Sequence, residues 1–141
     1  SGGVGQSPDY GNIGYGSPVT RGIMARWGWS ARIADVTDGL SNTFAVGECV
    51  GALCITQNLA SQSWATTAYP INYQNQSLAA NKPTQANPRW DESIGFRSYH
   101  PGGASFLLGD GSTRFIRDGI DGATYRAYAS RAGGESLTNL D

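Results

Sequence analysis

The sequence predicts an α+β domain, a mostly antiparallel β-sheet followed by one short C-terminal helix. Three observations carry that expectation. Asp110-Gly111 separates two β-prone runs, Ala104 to Leu108 and Ser112 to Ile116. An Asp-Gly pair in that setting is a strong hairpin signal, and the expected type I′ turn needs positive φ at both central residues. The chain holds 20 glycines and only 15% charged residues, which suits a turn-rich β protein with a weakly charged surface. Finally, Asp121 precedes a segment, Gly122 to Ala132, that places Tyr125, Tyr128 and Ala129 on one helical stripe and stops at Gly133-Gly134.

Taken in order, residues 1 to 22 are rich in Gly, Ser, Tyr and Asn and read as a loop or edge segment. Met24 to Trp29 reads as a short strand, with Trp27 and Trp29 two positions apart and therefore on one face. Arg32 to Thr43 is dense in Asp, Thr, Asn and Ser, whose side chains bond nearby backbone, so a structured turn capped by Asp35 or Thr37 is expected. Phe44 to Glu48 follows as a strand, with another over Leu53 to Thr56. Gln57 to Asp91 is polar and too long for a bare loop, so short strands such as Ala68 to Tyr73 are expected within it, and Gln74 to Asn87 is its most mobile part by composition. Ile94 to Ser98 is a further strand leading into the hairpin, and Arg117-Asp118-Gly119 turns the chain toward the helix. Arg131 falls in the last helical turn, where a cation suits the helix dipole.

At 141 residues the whole chain, 1–141, is expected to form a single globular domain with its own core. A net charge of −1 gives no electrostatic reason to bind nucleic acid or an anionic membrane. No window reaches the ~20 apolar residues of a membrane span, and no signal peptide opens the sequence. Cys49 and Cys54 form an even pair that would close a small loop as a disulfide in an oxidising compartment; buried free thiols are the alternative.

His100 is the only histidine, and it stands directly before Pro101-Gly102-Gly103. A catalytic reading would join it to Ser98 or Ser105 and to Asp38 or Asp110, but no nucleophile elbow is present, so no catalytic residue is assigned. The favoured reading is structural, with the imidazole bonding a group in the Asp35 to Asn42 turn. Gly102, Gly103 and Gly111 are expected at backbone angles closed to other residues, and Asp110 as a turn residue. Arg97 and Glu48 are candidate ion-pair partners across the sheet.

Asp118 and Asp121, like Asp35 and Asp38, have carboxylates at a spacing compatible with calcium, although the same residues also serve as turn and cap without metal. Trp27, Trp29, Trp64 and Trp90, with seven tyrosines, are many aromatics for so weakly charged a surface. They pack a core in one reading and form a sugar-stacking face of a surface glycan-binding module in the other.

Three blocks in this order resemble a bacterial family abundant in planctomycetes, the prepilin-type, pseudopilin-like exported proteins of unknown function. They are Ile33 to Thr43 with Glu48, His100-Pro101-Gly102-Gly103 through Asp110-Gly111, and Tyr125-Arg126-Ala127 through Gly133-Gly134-Glu135. A histidine, nine residues and then Asp-Gly marks that family's C-terminal region. The resemblance implies a prepilin cleavage site, a long hydrophobic stalk helix and a globular head on the cell surface or in the periplasm. It also raises the calcium possibility, since major pseudopilins of type II secretion bind calcium in a C-terminal loop. It further implies a structural subunit of a surface appendage or pseudopilus that assembles with other pilin-like subunits. The sequence begins where the family's later half begins, without the stalk helix through which alone it would meet a membrane, so the C-terminal part of a longer precursor is expected; it also carries Tyr99 where relatives often have Arg. An unpartnered apolar strip on one sheet face is the expected consequence.

Overall fold

The structure is a computed structural model and describes residues 21–24, 31–50, 67, 69–73 and 95–134. Within them lie strands β1 (Phe44–Gly47), β2 (Gly103–Leu108) and β3 (Thr113–Arg117), and helix α1 (Gly122–Ala127). The strands form one antiparallel sheet in the order β1-β2-β3. The α+β expectation therefore holds. The expected segments Trp27–Trp29, Leu53–Thr56 and Gln74–Asn87 lie outside the described residues, as do Cys54 and all four tryptophans.

The β2–β3 hairpin forms where expected, but its turn is of another type. Gly111 has φ of 88° whereas Asp110 is not in the positive region, and the Gly111 N–H donates to the Leu108 carbonyl at 3.0 Å. The Leu108 N–H in turn donates to the Ser112 carbonyl at 2.8 Å. That is the three-residue loop in which a type I turn is closed by a left-handed glycine. Asp110 fits it because its Oδ1 accepts from the Ser112 N–H at 2.9 Å and the Ser112 hydroxyl at 2.7 Å.

One face of the sheet packs the core. Alternation along β2 turns Ala104, Phe106 and Leu108 inward, and they join Phe44, Ile71, Ile116, Tyr125 and Tyr128. The rings interlock, Phe44 stacking on Phe106 at 4.4 Å and on Tyr128 at 5.4 Å, with Phe96 edge-on to Phe106 at 4.9 Å. Each such ring contributes roughly 1.5–3 kcal/mol by leaving water.

A bulge in β1 decides what faces outward. Phe44 lies opposite Leu108 but Val46 opposite Leu107, so Ala45 is an extra residue. Regular alternation would have turned Val46 inward against Phe106. Instead Gly47 takes that register position, where an added Cβ would collide with the Phe96 ring and lie 2.7 Å from Phe106 Cε1.

Helix α1 begins as expected, with Asp121 Oδ2 accepting from the Thr124 N–H at 2.8 Å. It ends at Ala127, five residues before Ala132. The Tyr128 carbonyl accepts the Phe44 N–H at 2.7 Å, and the next bonds, Ala129 N–H to Arg126 and Ser130 N–H to Ala127, are tighter three-residue turns. Arg131 is thus beyond the helix, and its guanidinium donates to the Gly22 carbonyl at 3.0 Å.

Two further expectations are corrected. Residues 69–73 form a turn and not a strand. The Tyr73 N–H donates to the Pro70 carbonyl at 3.2 Å around Asn72, whose φ is 59°. The block from Arg32 to Thr43 holds two 3-10 turns, Ile33–Asp35 and Leu40–Asn42. Neither is capped by Asp35 or Thr37 from its front. Asp35 closes the first turn and reaches back to the Arg32 N–H at 3.0 Å. Ile94 is outside the described residues, but Arg97 does run beside the end of β1. Its N–H donates to the Glu48 carbonyl at 3.0 Å, and its carbonyl accepts the Val50 N–H at 3.2 Å.

Candidate functional site

The singled-out residues separate into two groups. The first lies beside β1 and β2. His100 Nε2 is 3.5 Å from Glu48 Oε1, while Glu48 Oε2 accepts the Ser105 N–H at 3.1 Å. The imidazole is 62% exposed and meets the Phe115 ring edge-on at 6.3 Å. The expected bond from His100 to the Asp35–Asn42 turn is therefore replaced by a contact with Glu48. The physical reason is position, since Pro101-Gly102 turns the chain straight into β2, whose neighbour is the end of β1.

Asp38 and Asn42 serve elsewhere. Asp38 Oδ2 accepts the Gly133 N–H at 2.6 Å and its Oδ1 the Gly134 N–H at 3.0 Å. Gly134 has φ of 69°, so the two consecutive amides converge on one carboxylate as an anion-binding nest. The Asp38 N–H donates to the Arg131 carbonyl at 3.1 Å, and Asn42 Nδ2 returns to the Asp38 carbonyl at 3.1 Å. Thr43 Oγ1 donates to the Gly39 carbonyl at 3.0 Å and lies 3.4 Å from the Ser130 carbonyl. The first block is thus bolted to the third, across nearly the whole described chain.

Gly102, with φ of 80°, and Gly111 meet the expectation of a left-handed backbone. Gly103 does not; it is there for closeness. An added Cβ would collide with the Ile116 carbonyl oxygen and lie 2.8 Å from Phe115 Cε1. The proposed pairing of Arg97 with Glu48 is a main-chain one. The Arg97 side chain is wholly buried and its Nη1 donates to the Tyr73 carbonyl at 2.8 Å. Sequence reading missed Asn72 altogether, although it links three segments. Its Oδ1 accepts the Ser98 N–H at 2.8 Å and its Nδ2 donates to the Gly103 carbonyl at 3.2 Å. The signal available was Pro-x-Asn, since Asn tolerates the left-handed region better than most residues.

The chemistry of these groups is that of fastening. Ser98 Oγ accepts the His100 backbone N–H at 2.7 Å, Asp110 is engaged at the hairpin tip, and Asp38 holds the glycine pair. None of these hydroxyls or carboxylates is directed to the imidazole ring. The Thr124 amide and hydroxyl hold the Asp121 carboxyl below the usual carboxylate range; Ser112 does the same for Asp110, and the Arg32 side chain for Asp35. Asp121 is thereby occupied as a cap, and among the described residues no three His, Cys, Asp or Glu gather as a metal site. Cys49 is exposed, its Sγ 3.9 Å from the Gly95 carbonyl; its expected partner Cys54 and the aromatic glycan face lie outside the described residues.

The outer sheet face is the remaining feature. Val46, Leu107 and Phe115 are 53%, 36% and 49% exposed there, on three adjacent strands. Among the described residues, then, the polar groups fasten loops and the outer sheet face carries three exposed apolar side chains. The chain belongs to the family described as protein of unknown function (DUF1559), which it matches over residues 2–123. No curated protein and no solved structure matches it. No helix among the described residues is long and apolar enough to cross a membrane.

Proposed function

We propose that the chain is the globular head of a prepilin-type exported protein, a structural subunit of a surface appendage or pseudopilus. It is held outside the inner membrane by protein–protein contacts and not by chemistry. The observation that carries this reading is the open apolar face of Val46, Leu107 and Phe115, which the bulge at Ala45 enlarges by turning Val46 outward. Apolar side chains on neighbouring strands form a patch of the kind that marks contact with another chain. Family membership and the three blocks that resemble pseudopilin-like proteins support it. The use of Glu48 with His100, of Asp38 and of Asp110 as separate loop fastenings supports a structural subunit.

Leu107→Glu tests the reading, because it puts a charge at the centre of the patch and leaves the core untouched. In the native host the variant should keep its fold by circular dichroism and be lost from the sheared surface fraction. Normal recovery of the variant in surface assemblies would overturn the proposal.

A further inference from the structure

The two outer strands of the sheet are not equivalent. The free side of β1 is covered, since the Phe44 N–H goes to Tyr128 and the Glu48 carbonyl and Val50 N–H go to Arg97. Among the described residues, none pairs with the free side of β3. The Leu108 N–H donates to the Ser112 carbonyl and the Asp118 N–H to the Gly102 carbonyl, so alternation assigns the intervening bonded pairs to Phe106–Arg114 and Ala104–Ile116. The N–H and C=O groups of Thr113, Phe115 and Arg117 therefore point away from β2. Among the described residues only the Arg117 carbonyl of these is used, by the Ile120 N–H at 3.1 Å.

We propose that β3 pairs antiparallel with β3 of a second copy of this chain, about a two-fold axis through Phe115. This rests on the reading of the outer face as an interface and names its geometry. The register is self-complementary. Phe115 faces its own copy as a bonded pair and contributes two main-chain bonds. Each Arg117 N–H meets the Thr113 carbonyl of the other copy and contributes two more. The three-stranded sheet becomes six-stranded, and the exposed Phe115 side chains meet at its centre, extending the Val46–Leu107–Phe115 patch across both copies.

Charge agrees with that register. Exposed arginines on an edge strand ordinarily deter pairing. Arg114 in β3 and Asp118, the residue just past its end, flank Ile116 at alternate positions, and both are exposed. In the proposed pair Arg114 stands opposite Ile116 of the other copy and diagonal both to its Asp118 and to its Arg114, within reach of a long side chain. The axis makes two Arg114–Asp118 pairs against one Arg114–Arg114 contact, so attraction outnumbers repulsion in this register.

Sedimentation velocity on the whole chain over a concentration series tests the proposal, with wild type, Arg114→Glu, Asp118→Lys and the double variant compared. Melting temperatures serve as the control for folding. Each single reversal should weaken dimerisation about tenfold, as two attractive diagonals become repulsive, and the double reversal should restore it. Hydrogen exchange should show Phe115 and Arg117 amides gaining protection as concentration rises. A wild-type chain that stays monomeric at the highest concentration overturns the pairing. So does association that Leu107→Glu abolishes and the charge reversals leave unchanged; that result would retain the assembly reading and remove only the edge geometry.

Discussion

Gly102 and Gly103 are adjacent and identical, yet the structure assigns them different reasons for being glycine, and replacing each by alanine separates those reasons. At Gly102 the backbone is left-handed with φ of 80°, and an added methyl meets nothing within 4 Å. Its cost is conformational strain, about 1 kcal/mol. At Gly103 the angle is ordinary, but the methyl would run into the Ile116 carbonyl oxygen and crowd the Phe115 ring at 2.8 and 2.9 Å. That oxygen cannot retreat without opening the hairpin, because Gly103 lies opposite Arg117 and Ala104 opposite Ile116 in the ladder. Overpacking against backbone places Gly103→Ala at about 3 kcal/mol. Urea unfolding followed by fluorescence should therefore rank Gly103→Ala well below Gly102→Ala. Melting temperatures should fall by about 10 °C for the first and about 4 °C for the second. Equal losses, or a larger loss at Gly102, would refute the close-approach argument.

Asp38→Ala should lose about 2 kcal/mol in urea titration, since two amides lose a charged acceptor, and exchange at Gly133 and Gly134 should quicken. Tyr125→Phe should leave stability unchanged or raise it by up to about 1 kcal/mol. The Tyr125 hydroxyl is buried with no hydrogen-bond partner, and burial drives its ionisation well above the ordinary tyrosine range. Asp35, Asp110 and Asp121 have folded-state carboxyls held below their unfolded values by Arg32, Ser112 and Thr124 respectively. Their contributions are complete above about pH 4 and fade as pH falls through the lowered values, so urea midpoints should drop below that pH. Asp121→Asn, which keeps a capping oxygen, should flatten that acid slope with little effect at neutral pH. Val46→Thr should change stability by less than about 0.5 kcal/mol while weakening self-association in sedimentation.

The legible parts of this fold were those written in local chemistry. Asp110-Gly111 between alternating runs announced the hairpin, and Asp121 announced the helix start, because each acts within three residues of itself. The type of turn was not legible, since both candidate turns place a left-handed glycine at Gly111 and differ only at Asp110. The helix end was hidden for a different reason. Nothing between Tyr128 and Ala132 breaks a helix; the stop comes from Phe44, far back in the chain, capturing the Tyr128 carbonyl. The partner of His100 was likewise a matter of topology. Only the antiparallel pairing of β1 with β2 brings Glu48 beside the residue that opens the Pro-Gly-Gly turn.

The short strand β1 explains why the described molecule has one open face and one open edge, and why they coincide. Four residues, Phe44–Gly47, are all that separate two sets of fastenings. Before them, Asp38 and Thr43 hold the chain that follows α1; after them, Glu48 and Val50 hold Arg97, and Glu48 reaches His100. Both loops consequently crowd the β1 side, and α1 fills the inner face with Tyr125 and Tyr128. Nothing in that arrangement reaches β3 or the outer surface. The bulge then puts valine in water and glycine toward the Phe96 and Phe106 rings. The inner position opposite Phe106 has no room for a Cβ beside the Phe96 and Phe106 rings, so glycine fills it and Val46 is left outside. On the proposed reading another chain covers the outer face, and Phe115, where that face meets the edge of β3, is where it would first gain contact.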